Sequence, residues 1–508
     1  MDRRTFLTQL GVAGLLPFLP VSKAAAAPAA TGTRPLGLNL AGLSYWASER
    51  PFSNLAYGAS RWRVQVKGAP FTWDAELPPM TVKRYPKVIP ANAVLESFLV
   101  WNRREHLPDE LFVLYDGKGK LEYLGGARLE ARRPGIDRVR NIHNEAAFTA
   151  QLVATDENDP LRDLRVQEGE GKPASTFRDV FLDRLTGMTA LRFMDWMNTN
   201  KSKQRDWRER PMRGVFGHVD ELGVPVEDMV ELCNLQQARP WFNMPHLADD
   251  GYIRGFAELV RDKLDPNLSV YVEYSNELWN SMFPQAAYAA EQGLKLGLSP
   301  HAYEAQLRFY ARRTTQILSI WEDVFGAARD RVIGVYAAHS ANEWTSTTIL
   351  SFEGVKDHAD VLAIAPYFGA GLGAPERVRE VGAWSLDTLF DALTQEVAGE
   401  NKRLIHAQAG IARQFGVELV AYEGGQHLAG FGGAEEDERL TALFIAANRD
   451  PRMGVLYAAH LENWWNAGGG VYALFSSMSE PSKWGSWGLL EYEGGSHVKW
   501  EAARSFLR

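Results

Sequence analysis

The sequence predicts an α/β fold, a (β/α)8 TIM barrel with a small all-β, sandwich-like domain inserted after its first strand. Three observations predict it. Eight apolar runs, most ending in polar residues, alternate with helical patterns along the chain. The alternation is interrupted once, early, by period-two strands and tight turns. No Gly-rich phosphate turn follows the first run, which weakens the competing reading of an open doubly wound sheet. Eight βα units imply a barrel with its chemistry at the strand C-terminal ends.

Residues 1–30 read as an address. Arg3 and Arg4 precede Phe6 and Leu7, an apolar stretch runs to Val21, and Ala-rich sequence follows. A charged start, an apolar middle and small residues at the end make a secretory signal. The paired arginines resemble the bacterial twin-arginine export signal, which implies the twin-arginine machinery as partner and a periplasmic or extracellular address. The apolar stretch, broken by Pro17 and Pro20, is too short to span a membrane. That route carries folded proteins, and a chain with 1 Cys forms no internal disulfide that folding in a reducing cytoplasm would forfeit.

The barrel is expected over 31–61 and 172–508. Leu36 to Leu43 reads as its first strand. Residues 62–171 form the inserted domain. Alternation marks Arg61–Val66, Glu110–Tyr115 and Lys120–Leu124, with turns at Asp116-Gly117 and Gly125-Gly126. The segment Gly169–Pro173 reads as the exit linker. Strands two to eight are placed at Thr189–Asp195, Arg239–His246, Ser269–Tyr274, Val332–Ala338, Val361–Tyr367, Val417–Tyr422 and Val455–Leu461. Between them, Val226, Met229, Val230 and Cys233 share a helix face, as do Leu307, Tyr310, Ile317 and Trp321, and Leu440, Leu443, Phe444 and Ala447.

Composition narrows the function classes. The hydrophobic share of 45% and charged share of 23% are those of a folded globular protein. A net charge of -8 argues against nucleic-acid binding by phosphate neutralisation. The 16 Trp suit stacking on sugar rings, and core packing uses Trp as well. The sequence has no HxH pair, no HExxH and no GxSxG elbow, so neither a metal site nor a serine nucleophile is expected, and no cofactor is implied.

Two glutamates carry the functional expectation. The fourth strand delivers Asn276 and Glu277 to the barrel mouth, and the seventh delivers Glu423, followed by Gly424 and Gly425. Hydrolysing an acetal needs an acid for the leaving oxygen and a nucleophile or base on the other side of the sugar. Two carboxyl groups at one rim supply both.

Together these positions resemble the clan A glycoside hydrolases, retaining (β/α)8 enzymes, over residues 36–60 and 180–500. The resemblance implies that Glu277 is the acid/base and Glu423 the nucleophile. It implies that Arg192 in strand two holds the nucleophile and that Tyr367 after strand six hydrogen-bonds it. Trp464 and Trp465 are placed after strand eight, where the clan floors its sugar subsite. Arg192–Asn200 and Tyr274–Asn280 are also similar to a group of bacterial proteins labelled cellulose-binding, which leaves a non-catalytic glycan-binding barrel as the alternative.

A carbohydrate is thus the expected partner. Asn276 would bond a sugar hydroxyl near the reacting centre, and Trp279 is a stacking candidate. His246 is either a sugar contact or a satisfied structural histidine. Asp195 and Asn198 either bind substrate or form a salt bridge or cap. Arg192 is expected to keep Glu423 ionised, while burial and the second carboxylate keep Glu277 protonated. The insertion is left with three roles: binding glycan, walling the cleft or bracing the barrel.

Overall fold

The computed structural model describes residues 34–101, 107–142, 146–495 and 497–507. The export signal expected at 1–30 lies outside them. Barrel strand β1 (Leu36–Asn39) comes first. The insertion follows with β2 (Arg63–Val66), β3 (Ala93–Val100), β4 (Glu110–Asp116), β5 (Gly119–Gly125), β6 (Ala127–Arg133), β7 (Ile136–Asn141), β8 (Phe148–Thr155) and β9 (Arg162–Gln167). The barrel resumes with β10 (Ala190–Arg192), β11 (Arg239–Met244), β12 (Val270–Tyr274), β13 (Val332–Ala337), β14 (Val361–Ile364), β15 (Glu418–Ala421) and β16 (Tyr472–Leu474). These eight strands close a parallel barrel in chain order, sealed where Leu36 of β1 pairs Tyr472 of β16.

The insertion is two four-stranded antiparallel sheets, β2-β3-β8-β5 and β6-β7-β4-β9. Leu95 and Leu152 of the first sheet share an apolar cluster with Val113, Val139 and Val166 of the second. Alternating strands with one apolar face leave no other way to bury it, hence a sandwich. The helices bury the faces expected of them: helix Val226–Gln236 hides Met229, Val230 and Cys233, and helix Ala302–Phe325 hides Leu307, Tyr310, Ile317 and Trp321.

The eighth strand is a correction. Val455–Leu461 lies inside helix Pro451–Asn466, and the true strand is Tyr472–Leu474. Met453, Leu456, Tyr457, His460, Leu461 and Trp464 are buried at helical spacing, while Val455 is 69% exposed. Asp450 caps the helix by accepting from the Arg452 N–H at 2.9 Å, and Pro451 takes its first turn.

Candidate active site

The upper layer of the barrel interior is polar. Arg192, at the end of β10, is fully buried and spends its guanidinium on four partners. It donates twice to Glu273 of β12, from Nε and Nη2 at 3.0 Å each. It also donates to Asn39 of β1 at 3.0 Å, to Asn276 at 2.8 Å and to Glu423 at 3.2 Å. Glu273 accepts further from Trp241 and from Asn243, both at 2.8 Å. A buried charge is tolerated only when paired and hydrogen-bonded, and this layer meets that condition.

Glu277 is delivered by a constrained turn after β12. Ser275 and Glu277 both sit in the left-handed region, at φ 58 and 45 degrees, unusual for residues with a side chain. Side-chain amides grip the turn: Asn243 donates to the Ser275 carbonyl at 2.7 Å, Gln285 to that of Asn276 at 2.9 Å, and Gln306 to that of Leu278. The Glu277 carboxyl accepts from the Tyr422 hydroxyl and the Asn280 amide, each at 2.9 Å.

Glu423 follows β15. Its carboxyl accepts from Arg192 and from the Tyr367 hydroxyl, each at 3.2 Å. Beneath it runs a buried chain. His460 joins Asn401 through Nδ1 and the Tyr472 hydroxyl through Nε2, each at 2.8 Å. Burial pushes the His460 imidazole down to about 3, so it stays neutral and donates through Nδ1 to the Asn401 oxygen. Asn401 in turn donates to the Tyr367 carbonyl at 3.0 Å. Gly424 is required here: a Cβ would fall 2.1 Å from the Tyr472 hydroxyl oxygen.

The two carboxyl groups are buried and close enough for each to act on the other's proton affinity. Burial raises the proton affinity of both. Burial and the neighbouring Glu277 push Glu423 up to about 8, against the pull of Arg192. That differs from the expectation of an ionised Glu423. Burial and the Glu277 charge outweigh the pull of Arg192, which Glu273 shares. The pair therefore holds one shared proton near neutrality.

Other expected residues are placed as follows. Asn276 is buried between Arg192 and Asn200, donating to the Asn200 oxygen at 3.1 Å. Trp279 packs on His339 with ring centroids 4.3 Å apart. His246 is buried just past β11, edge-on to Tyr288, with no partner for Nδ1 among the described residues. Asp195 and Asn198 line a cleft of about 280 Å³ with Ser44, Trp46, Asn200 and Asp220. Asn198 spends its amide on the carbonyls of Asp220 and Glu221, at 3.2 and 2.8 Å, and so braces the cleft wall. Trp464 and Trp465 are corrected. Both are buried on the helix leading into β16, at the opposite end of the barrel from the mouth. Trp464 donates to the Gly470 carbonyl and Trp465 packs on Phe506. The displaced eighth strand put them at the wrong end.

Sequence reading missed Tyr422, Glu273 and Asn39, which hold the pair and its arginine. It also missed Phe475 and Trp487, beyond the true eighth strand. Trp487 packs edge-on against Tyr367, His427 and Phe475 at 5.9, 4.8 and 5.8 Å. A signal was available for Glu273, because a charge inside an apolar strand demands a buried partner. Among the described residues no cluster of three or more His, Cys, Asp or Glu is placed to hold a metal ion. Nor is any described helix long and apolar enough to cross a membrane.

Fold and site together define a class: a closed (β/α)8 barrel with two buried carboxyl groups at its mouth. No protein-family model and no curated protein matches the chain. Similar solved structures include a GH5-4 broad specificity endoglucanase from Clostridium acetobutylicum, at 11% identity and TM-score 0.38, covering 67% of this chain and 92% of that one. Another is a 4-O-α-L-rhamnosyl-β-D-glucuronidase from Fusarium oxysporum 12S, at 11% identity and TM-score 0.37, covering 64% and 62%. A third is a Cellulomonas fimi endo-β-1,4-mannanase double mutant, at 10% identity and TM-score 0.35, covering 63% and 62%. Likenesses at this level carry no functional argument, and the reading of the site rests on its geometry.

Proposed function

We propose that the protein is a retaining glycoside hydrolase that cleaves a β-linked glycan or oligosaccharide by double displacement, with Glu423 as nucleophile and Glu277 as acid/base. One observation carries the reading: two buried carboxyl groups, each held by two donors of its own, stand close together after β12 and β15. Retention needs carboxyl groups about 5–5.5 Å apart, and inversion needs about 6.5–9.5 Å so that a water fits between. Two buried carboxyl groups that shift each other's titration fit the shorter spacing.

In the first step the shared proton sits on Glu277, leaving Glu423 as carboxylate. Positive charge developing at the anomeric carbon beside Glu423 favours that arrangement. Glu277 protonates the glycosidic oxygen, the bond from C1 to that oxygen breaks, and a Glu423 oxygen bonds to C1. The leaving sugar departs as an alcohol. Water then enters, Glu277 takes its proton, and the water oxygen displaces Glu423 from C1. Arg192 and Tyr367 fix the attacking carboxylate, and Tyr422 and Asn280 fix the acid.

Azide rescue tests the assignment. With an activated aryl glycoside, Glu277→Ala still forms the glycosyl-enzyme, and azide should restore turnover with a product of retained configuration. In Glu423→Ala azide attacks from the vacated face and should give the inverted product, as read by NMR. Swapped stereochemistry reverses the roles. Glycan binding without turnover by the wild type returns the alternative of a binding protein. The paired Arg3 and Arg4 support export of the folded enzyme by the twin-arginine route to the periplasm or beyond.

A further inference from the structure

The loop after β1 brings Tyr45 and Trp46 to the mouth. Trp46 is 51% exposed and lines the cleft with Asp195, Asn200 and Asp220. Asn200 accepts from Asn276, the neighbour of Glu277, so this cleft lies beside the turn that carries the acid/base. From Trp46 an unbroken line of rings leaves the barrel. Trp46 meets Tyr45 at 4.7 Å, and Tyr45 meets Phe98 of β3 at 4.9 Å. Phe98 meets Trp73 at 5.8 Å and Phe71 at 6.2 Å, both within the insertion. The line ends on Phe71, which is 52% exposed.

The line is held rigidly. The Trp101 N–H, just past β3, donates to the Tyr45 carbonyl at 2.7 Å and ties insertion to barrel loop. The Arg63 guanidinium lies 4.0 Å over Phe71. Arg61 lies 5.7 Å over Trp73 and donates to its carbonyl at 3.2 Å. Large rings fixed in place and left half in water are costly unless a ligand covers them.

We infer that the insertion extends the substrate cleft: Trp46, Trp73 and Phe71 stack sugar rings of one neutral polysaccharide chain, remote from the bond that is cut. This rests on the glycosidase reading above. Aromatic faces meet the C–H faces of sugar rings, while Asp195, Asn200 and Asp220 meet the hydroxyls. Around Trp46 the described lining holds two carboxylates and no cation, which disfavours a polyanionic chain at that end, while Arg61 and Arg63 lie at the insertion end. The cleft's place beside the Glu277 turn favours a glycan over an unrelated partner.

Affinity electrophoresis tests it, using Glu423→Ala protein in native gels containing mixed-linkage β-glucan, glucomannan or xylan. At least one polysaccharide should retard the protein. Adding Phe71→Ala with Trp73→Ala, or Trp46→Ala, should weaken that retardation about tenfold, while Val180→Ala on the outer helix surface should not. Circular dichroism checks that each variant folds, and the exposed single change Phe71→Ala decides if the double variant does not. No retardation by any of the three, or equal retardation of all variants, overturns the inference. Aryl glycoside cleavage by the wild type reports separately on the catalytic reading. Retardation without cleavage removes that reading and keeps the extension. Cleavage without retardation does the reverse.

Discussion

Arg192→Met tests the buried polar layer. Methionine fills much of the space but removes every donor, leaving Glu273 with only Trp241 and Asn243. Removing one partner of a buried ion pair strands the other charge, at a cost of about 3–5 kcal/mol. Urea unfolding of wild type and variant at pH 7 should show a loss of that size. The loss should depend on pH. Without Arg192 the Glu273 carboxyl titrates further above its ordinary range, so the folded state binds more protons than the unfolded. Stability of the variant, relative to wild type, should then fall as pH rises from 5 to 8. Adding Glu273→Gln removes the stranded charge and should recover most of the stability. It should not recover activity, because Glu423 and Asn276 still lack their donor. That loss should be about 10²–10³-fold in kcat, as for a missing donor at a reacting centre. A loss of stability below about 1 kcal/mol, or activity returning with stability in the double variant, would refute the separation of roles.

Because the two carboxyl groups titrate together, kcat/KM should be bell-shaped, its alkaline limb set by loss of the pair's shared proton. In Glu277→Gln the neighbouring charge is gone, so Glu423 should ionise at lower pH, which the pH dependence of mechanism-based inactivation measures. Gly424→Ala should cost about 1–3 kcal/mol from overpacking against Tyr472 and lower kcat more than it changes KM, measured by melting and kinetics. Replacing Arg3 and Arg4 by lysine should abolish export of a reporter fused to residues 1–30, and export surviving that change removes the twin-arginine route.

Much of the fold is written in periodicity. The runs ending at Tyr274 and Tyr422 are barrel strands because a parallel strand covered on both faces needs continuous apolar sequence. The same rule misled at Val455–Leu461, where an apolar helix face packs densely enough to imitate a short strand. The cap Asp450 and the following Pro451 marked that segment as a helix start. The true strand, Tyr472–Leu474, has three residues behind three glycines and offers little pattern to read. In the site, Asn276, Glu277 and Glu423 were legible at strand ends, and Arg192 and Tyr367 through the resemblance to clan A. Tyr422 was not, since an aromatic closing an apolar run reads as core until its hydroxyl is found on Glu277. Nor could residue order show that Glu273 claims Arg192 before Glu423 does.

Placing a sandwich between β1 and β10 also sets a timetable. The backbone N–H of Ala41 bonds the hydroxyl of Ser477 across 436 residues, so the barrel cannot seal until its last strand has been made. The insertion's strands are complete by β9, and its apolar core then lacks Phe216, which follows β10. At about 5–20 residues per second, some 15–60 s pass between completing β9 and completing β16. For most of its synthesis the chain carries the sandwich strands on an unclosed sheet. The side of β1 that awaits β16 is the last edge to be covered.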